Sequence, residues 1–486
     1  MKRARAFIVV LVFMCGLLCE AFYSSQKEIS NHIVSDEKEQ DMSENVMKED
    51  IIEEGAEQES VEQEHVEQKD TVQESTVQKD IVQKDIVQKD TVQNSVSLSV
   101  SEVEDKPAEN IHAGALNVVA HTPIAEQDYY QYSSLNDMEK TIYQAIVQAI
   151  KASDTVVNLS KYSCSRNTLY KIYECIMADY PQFFYLAKNS AYICDSTGEN
   201  VKKFILMYTD GTTTDQYNKQ GKRVVTANRS TISEQVSSFR NEISEILASI
   251  SASGSDLEKE RSIYEFIQGN VTYDSQAATL IYGPEGTQIP HAFDAYGALC
   301  EGAAVCEGYA KLFQYLCYCV GIQATQIYGN SSNQPHMWNA VKIGDDWYMS
   351  DVTWDDIGRD DLYCYNYFNL TTNQITSDHA IDSGVLKVPN CTAETYAFYN
   401  QYALYVSDVS MPPTNYQQVI DCLVKNGDRY LYVYMGNPGD LTEEYFVTHI
   451  LKGDSAIQQY IGTINYAIEL KNEYMRAGNY GYIPLK

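Results

Sequence analysis

The sequence predicts an α+β fold behind a long non-globular segment. Three observations carry this. Apolar residues recur at helical spacing in several stretches, as in "MEKTIYQAIVQAI" (Met138–Ile150). A strand pair is written into "QPHMWNAVKIGDDWYMSD" (Gln334–Asp351), where two extended runs flank a Gly-Asp turn. Between Phe22 and about Glu126 neither period is present, and the stretch is polar, acidic and almost free of aromatics. The 486 residues leave room for two or three domains once that stretch is set aside.

The elements follow in chain order. Lys2, Arg3 and Arg5 precede an apolar run of 13 residues, Ala6–Leu18, which suits a signal peptide over residues 1–21 and is short for a membrane span. Bulky Leu18 argues against a lipid anchor on Cys19, while an uncleaved anchor stays open. A secreted or cell-surface protein is therefore expected, touching a membrane only through such an anchor. Residues 22–125 read as a disordered acidic linker. From Phe22 to His112 it carries 24 acidic residues against 8 Lys, about half of the net charge of −31. It contains a Gln-rich pentapeptide repeat, clearest in "VQKDIVQKDIVQKDTVQ" (Val77–Gln93), whose period matches neither helix nor strand and reads as a solvated spacer. So acidic a chain excludes nucleic acid as a partner, because binding phosphates requires a basic surface. Twelve Cys are present, two of them in the leader, and the other ten show no dense disulfide framework. Some of these thiols are expected to be free, and any pairing is not legible in the spacing.

Residues 126–255 read as a small α+β domain. Asn136 and Glu139 form a capping-box pattern, and Met138, Ile142, Ala145, Ile146, Ala149 and Ile150 mark one helical face. "RNTLYKIYECIMADYPQFFYLA" gives a second helix stopping near Pro181, "VKKFILMYTDG" a strand, and "ISEQVSSFRNEISEILASI" a third helix. Residues 256–375 open with the helix "DLEKERSIYEFIQGN" and a short extended piece. From Cys306, the positions Ala310, Phe313, Leu316, Cys317 and Val320 keep helical spacing, and Gly321 ends the helix. Ile322–Tyr328 is expected as a buried strand. The tail, 376–486, mixes a helical stretch ("LTEEYFVTHIL") with a strand ("RYLYVYMG") and carries no chemical motif.

The chemistry concentrates in the strand pair. With a two-residue Gly344-Asp345 turn, Ile343 faces Asp346, Trp338 faces Asp351 and His336 faces Thr353. His336 and Asp351 are then diagonal neighbours on one face, with Cβ atoms about 7 Å apart or less, within reach of a hydrogen bond. A one-residue slip would put them on opposite faces. Trp338 shares that face and can exclude water. Cys306 sits at a helix start, where the dipole and a nearby imidazolium favour a thiolate. A thiolate, a His that moves its proton and an Asp that orients the His make an acyl-transfer triad. Cys300 has a similar "CEG" sequence but no long helix directly after it. Cys317 and Cys319 read as core, and Trp347 and Trp354 as packing. His291 and His379 read as loop residues. Asp355 and Asp356 read as turn caps, and no metal site is expected.

These motifs, "VCEGYAKLFQYL", "HMWNAVKIGDDWYMSDVTWDD" and the spacing between them, resemble the transglutaminase-like superfamily over about residues 256–375. The resemblance implies a papain-like/transglutaminase-like core, in which the nucleophile helix packs on an antiparallel sheet. It implies Cys306 as nucleophile, His336 as general base and acid, and Asp351 as the orienting carboxylate. Tyr273, ahead of the Cys, falls where such proteins place an aromatic that helps bind the oxyanion. Protein or peptide amides, including cell-wall or surface proteins, are the implied substrates, and no cofactor is needed. Cross-linking and hydrolysis both fit. A cysteine peptidase or amidase, and a non-catalytic binding module, stay open beside them. The Gln repeat, with Lys69, Lys79, Lys84 and Lys89, would also offer carboxamides and amines to such an enzyme, although the spacer reading is favoured.

Overall fold

The first long helix, α1 (Asp137–Lys151), starts on a reciprocal cap: Asn136 Oδ1 accepts the Glu139 N–H and the Glu139 carboxylate accepts the Asn136 N–H, both at 3.0 Å. Its buried stripe includes Ile142, Tyr143, Ile146, Val147, Ala149 and Ile150. Met138, expected on that stripe, is 41% exposed. Tyr143 and Val147 carry the stripe to one side, which leaves Met138 at its opposite edge. The computed structural model describes residues 121–186, 190–208, 213–217, 223–227, 229–279, 291–359, 361–382, 384–406, 415–435, 475–477 and 480–484. The leader, nearly all of the acidic segment with its repeat, and the helix expected at 441–451 lie outside the described residues.

After α1 come β1 (Val156–Asn158), α2 (Arg166–Asp179), β2 (Ala191–Cys194) and β3 (Val201–Ile205). The three strands form an antiparallel sheet with β3 in the middle. A hairpin of β4 (Thr213–Tyr217) and β5 (Arg223–Ala227) precedes α3 (Arg229–Ser249). The helix α4 (Asp256–Asn270) opens on a second capping box, between Ser255 and Glu258.

The next elements hold the motifs. A two-residue parallel pair, β6 (Thr272–Tyr273) with β7 (Ala303–Ala304), leads into α5 (Cys306–Cys319). This helix ends in a Schellman motif: the Gly321 N–H donates to Tyr318 O, the Ile322 N–H donates to Cys317 O, and Gly321 has φ +90°. Strands β8 (Ala324–Ser331), β9 (Gln334–Ile343), β10 (Asp346–Ser350) and β11 (His379–Ile381) form an antiparallel sheet in the order β10-β9-β8-β11. The hairpin keeps the Ile343–Asp346 register through to Asn339 opposite Ser350, with Gly344 at φ +63° in the turn. Helix α5 lies on this sheet, and Asn339 Nδ2 donates across to Ala310 O at 3.0 Å. The described tail adds β12 (Ala403–Val406), α6 (Tyr416–Asn426), β13 (Tyr430–Met435), β14 (Met475–Ala477) and β15 (Tyr480–Pro484).

One apolar cluster takes in Ile142 and Ile146 of α1, Phe239 of α3, Tyr264 of α4, Phe313 and Leu316 of α5, and Tyr432 of β13. The core is therefore continuous across residue 255. A smaller cluster beneath the strands holds Ile327, Trp338, Ala340, Met349, Ile375 and Cys391. Among the described residues no helix is long and apolar enough to cross a membrane.

Candidate active site

Three elements deliver the three motif residues. Cys306 is the first residue of α5, with Val305 extended before it (φ −92°, ψ 177°), and it is buried. The helix can start there because the chain is pinned on both sides. The Val305 N–H donates to Ala292 O at 2.9 Å, and the β6–β7 pair places Tyr273 beside Ala304, two residues before the Cys. Gly308 lets the 292–294 loop close over the first turn. A Cβ there would meet Ala292 O and Ala304 Cβ at 2.7 Å. Tyr309 O–H donates to Asp356 Oδ2 at 2.6 Å, which ties the helix to the segment after β10. Each residue of the Cys-Glu-Gly-Tyr-Ala motif from Gly308 to Ala310 thus has a packing or hydrogen-bonding task.

His336 lies near the start of β9, and its Nε2–H donates to Asp351 Oδ2 at 2.6 Å. That leaves Nδ1 as the nitrogen that can serve Cys306, whose thiol acts on the imidazole through hydrogen bonding and charge. Asp351 does not continue the ladder. The strand ends at Ser350, and Asp351 caps a one-turn helix, Val352–Asp355, with Oδ1 accepting the Thr353 and Trp354 N–H groups at 3.0 and 3.3 Å. Thr353 is accordingly not opposite His336, because the chain has already turned into the helix. The Trp338 ring stacks on His336 with centroids 5.8 Å apart, and Trp354 approaches the same imidazole at 6.1 Å. Gly329 stands opposite His336 in the ladder, and a Cβ there would meet Ala380 O at 2.0 Å and the Trp338 ring at 2.8 Å.

The electrostatics follow from burial among these partners. Burial works against charge on His336, yet the Asp351 carboxylate, with a further contribution from Cys306, pushes it up to about 10. Burial would raise the Asp351 acid, but His336 and His379 hold it well below the usual carboxylate range. Tyr273 is 44% exposed. Desolvation, with Cys306 and Asp351 adding to it, pushes its phenol up to about 12, so it stays a protonated donor at neutral pH.

Residues 244–352 match the family model of the transglutaminase-like superfamily. Over that stretch the chain is similar to the superfamily. The chain is also similar to the Kyphoscoliosis peptidase of Mus musculus, 28% identical over 148 residues, which covers 26% of this chain and 21% of the relative. The Homo sapiens Kyphoscoliosis peptidase is 29% identical over 147 residues, with the same shares. The chain thus spans about a fifth of the length of these relatives. Two solved structures overlay on short stretches. One is described as a candidate cysteine protease from Cytophaga hutchinsonii, with 26% identity, 20% of this chain and 31% of that one covered, and a TM-score of 0.16. The other is a TGase, with 19% identity, 26% and 33% covered, and a TM-score of 0.22.

Several residues stand elsewhere than the sequence suggested. His379 is not a loop residue. It opens β11, is buried, and its Nε2–H donates to Asp351 Oδ2 at 3.1 Å. His291 sits in a 3-10 turn, where Nδ1 pairs with Asp294 at 2.7 Å. Asp355, expected as a turn cap, reaches across the fold instead. It is fully buried and accepts the Tyr264 hydroxyl at 2.7 Å and the Asn366 and Tyr367 N–H groups at 2.8 Å each. Asp356 does hold a turn, taking the Gly358 N–H at 2.9 Å. Cys300 lies in a short π-helical turn, and the ten described Cys are all free thiols. The ligand atoms of His336, Asp351 and His379 lie within 4.8 Å of one another, a spacing that could hold a metal ion. Both imidazoles point at Asp351 itself, so a cation there would have to replace the protons they donate.

Proposed function

We propose that this transglutaminase-like core carries out thiol-dependent acyl transfer on protein or peptide amides, with Cys306 as nucleophile, His336 as general base and acid, and Asp351 as the orienting carboxylate. The observation that carries the reading is the single imidazole held between Asp351, at 2.6 Å, and the Cys306 thiol at a helix start. The thiol proton passes to His336. The sulfur then attacks the amide carbonyl, the C–N bond breaks, and His336 returns the proton to the departing amine. The thioester that remains is resolved by a second amine, which makes a cross-link, or by water, which completes hydrolysis. Tyr273 stands beside the nucleophile with a hydroxyl that can donate to the developing oxyanion, and Trp338 shields the imidazole from water. No cofactor enters this cycle.

Cross-linking and hydrolysis use the same groups up to the thioester. A peptidase or amidase is the second reading, and the similarity to proteins named as Kyphoscoliosis peptidases favours it. The basic, apolar leader suits secretion or display at the cell surface, where surface or cell-wall proteins would be the substrates. Incubation with a labelled primary amine and a glutamine-rich protein tests the reading. Incorporation that Cys306→Ala abolishes supports transfer, and ammonia or peptide release without incorporation supports hydrolysis. Binding of the protein substrate that survives Cys306→Ala, with neither product in the wild type, would leave only a binding module.

A further inference from the structure

Behind Asp351 sits a second imidazole that the proposed chemistry does not use. His379 Nε2 lies 3.1 Å from Asp351 Oδ2, the oxygen that also receives His336. Its Nδ1 lies 2.5 Å from Asp378 Oδ1. A neutral imidazole has one donor and one acceptor nitrogen, so a ring with a carboxylate at each nitrogen needs both protons. The other bonds of those carboxylates agree. Asp351 Oδ1 accepts two backbone N–H groups, and Asp378 Oδ2 accepts the Tyr367 hydroxyl at 2.7 Å. His379 is thus an imidazolium between two carboxylates. It is caged by rings that fix its plane: Trp354 at 4.9 Å, Trp338 at 5.0 Å, His336 at 5.3 Å and Tyr367 at 5.4 Å. The charged and titratable groups around it are Asp378 next to it in sequence, Asp351 ahead of the one-turn helix, His336 on β9 and Tyr367, with Asp355 beyond Asp351.

We infer that His379 is a positioning residue of the triad: a fixed cation that holds Asp351 Oδ2 in place and cancels part of the charge that would otherwise clamp the proton on His336. The inference rests on the triad reading above. Its physical basis is the double task of His336, which must take the thiol proton and then give it up. A carboxylate in a water-poor site favours the imidazolium and so opposes the second step. A second cation on the same oxygen weakens that hold. Loss of the cation should therefore raise both steps of the coupled Cys306–His336 titration.

The rate of Cys306 alkylation by iodoacetamide, followed by peptide mapping across pH in the full chain, tests this without knowledge of the substrate. His379→Gln keeps a donor toward Asp351 but removes the charge. Asp378→Asn leaves the imidazole in place with weaker support for its second proton, and it serves if the first variant folds poorly. The rise of the alkylation profile should move to higher pH by about one unit in His379→Gln, and by less in Asp378→Asn. A merely structural role would lower the rate at every pH and leave the midpoint where it was. A wild-type Cys306 that reacts at low pH, with a midpoint moved by neither variant, overturns the inference and leaves the triad standing. A wild-type Cys306 that titrates as an ordinary thiol overturns the triad reading and the inference together.

Discussion

At the scale of single residues, what separates Cys306 from the other thiols is its surroundings. Cys175, Cys300, Cys319, Cys364 and Cys391 are each pushed up to about 12, chiefly by desolvation, and so stay protonated. Cys306 stands at the first turn of α5 beside a cationic imidazole. Iodoacetamide at about pH 6 should therefore label Cys306 ahead of Cys300 and Cys317, as read by peptide mapping. The two aspartates of the Asp351–Asp355 turn should divide along the same line. Asp351→Asn loses the charge that steadies His336 and should cut kcat heavily, of the order of the 10⁴-fold loss from the equivalent change in a serine protease. Asp355 touches none of the reacting atoms. Its two oxygens accept two backbone N–H groups and the Tyr264 hydroxyl. An Asn there aims its amide N–H groups at a donor, so Asp355→Asn should cost about 1–3 kcal/mol of stability while the folded fraction keeps its kcat. Denaturation curves and steady-state rates on both variants separate the two effects, and equal losses of kcat would contradict this division.

At the scale of elements, the site depends on how closely α5 is approached. The 292–294 loop lies across Gly308, and its Ala292 carbonyl holds Val305, the residue before Cys306. Gly308→Ala puts a methyl group 2.7 Å from that carbonyl and from Ala304. The helix start or the β6–β7 pair must give way, at a cost of about 1–3 kcal/mol. Because that pair also carries Tyr273, the variant should lose activity out of proportion to stability. A comparison of thermal midpoint with the Cys306 alkylation rate checks this. Gly254→Ala, which sits in a loop before α4, is the matched control.

At the scale of the whole molecule, buried acids set how stability varies with pH. Burial pushes Asp179 and Asp355 up to about 7 and Glu260 up to about 8. Each holds its proton more tightly folded than unfolded. The stability each contributes is complete below the unfolded value near 4 and is lost as pH rises toward 7 or 8. His336 acts in the same direction at higher pH. Burial opposes its charge but Asp351 holds it up to about 10, so its contribution is present below about 6.5 and is lost as pH climbs through 10. Asp351, shifted downward, acts only below about pH 4. The thermal midpoint should therefore fall between about pH 5 and pH 9. Glu260→Gln, whose amide oxygen still accepts from Asn369 and whose N–H can donate to the Ser350 hydroxyl, has no titrating proton and should flatten the lower half of that fall. A midpoint that rises with pH over this range would contradict the account.

What the sequence determined by itself was local and periodic. The α1 cap, the α5 start at Cys306 with its Gly321 stop, and the hairpin register follow from short-range stereochemistry: side-chain caps, 3.6-residue repeats and a two-residue turn that permits one pairing. Those local rules sufficed to bring His336 and Asp351 together, because only 15 residues and one tight turn separate them. Tertiary structure decided the rest. His379 meets Asp351 only because β11 pairs with β8 across the far edge of the sheet, a non-local contact that leaves no period behind it. Asp355 reads as a turn residue until Tyr264 of α4 and the backbone at 366–367 close over it. Burial and charge pairing act between segments distant in the chain, so the pKa values that govern this site belong to the packed molecule and not to any stretch of its sequence.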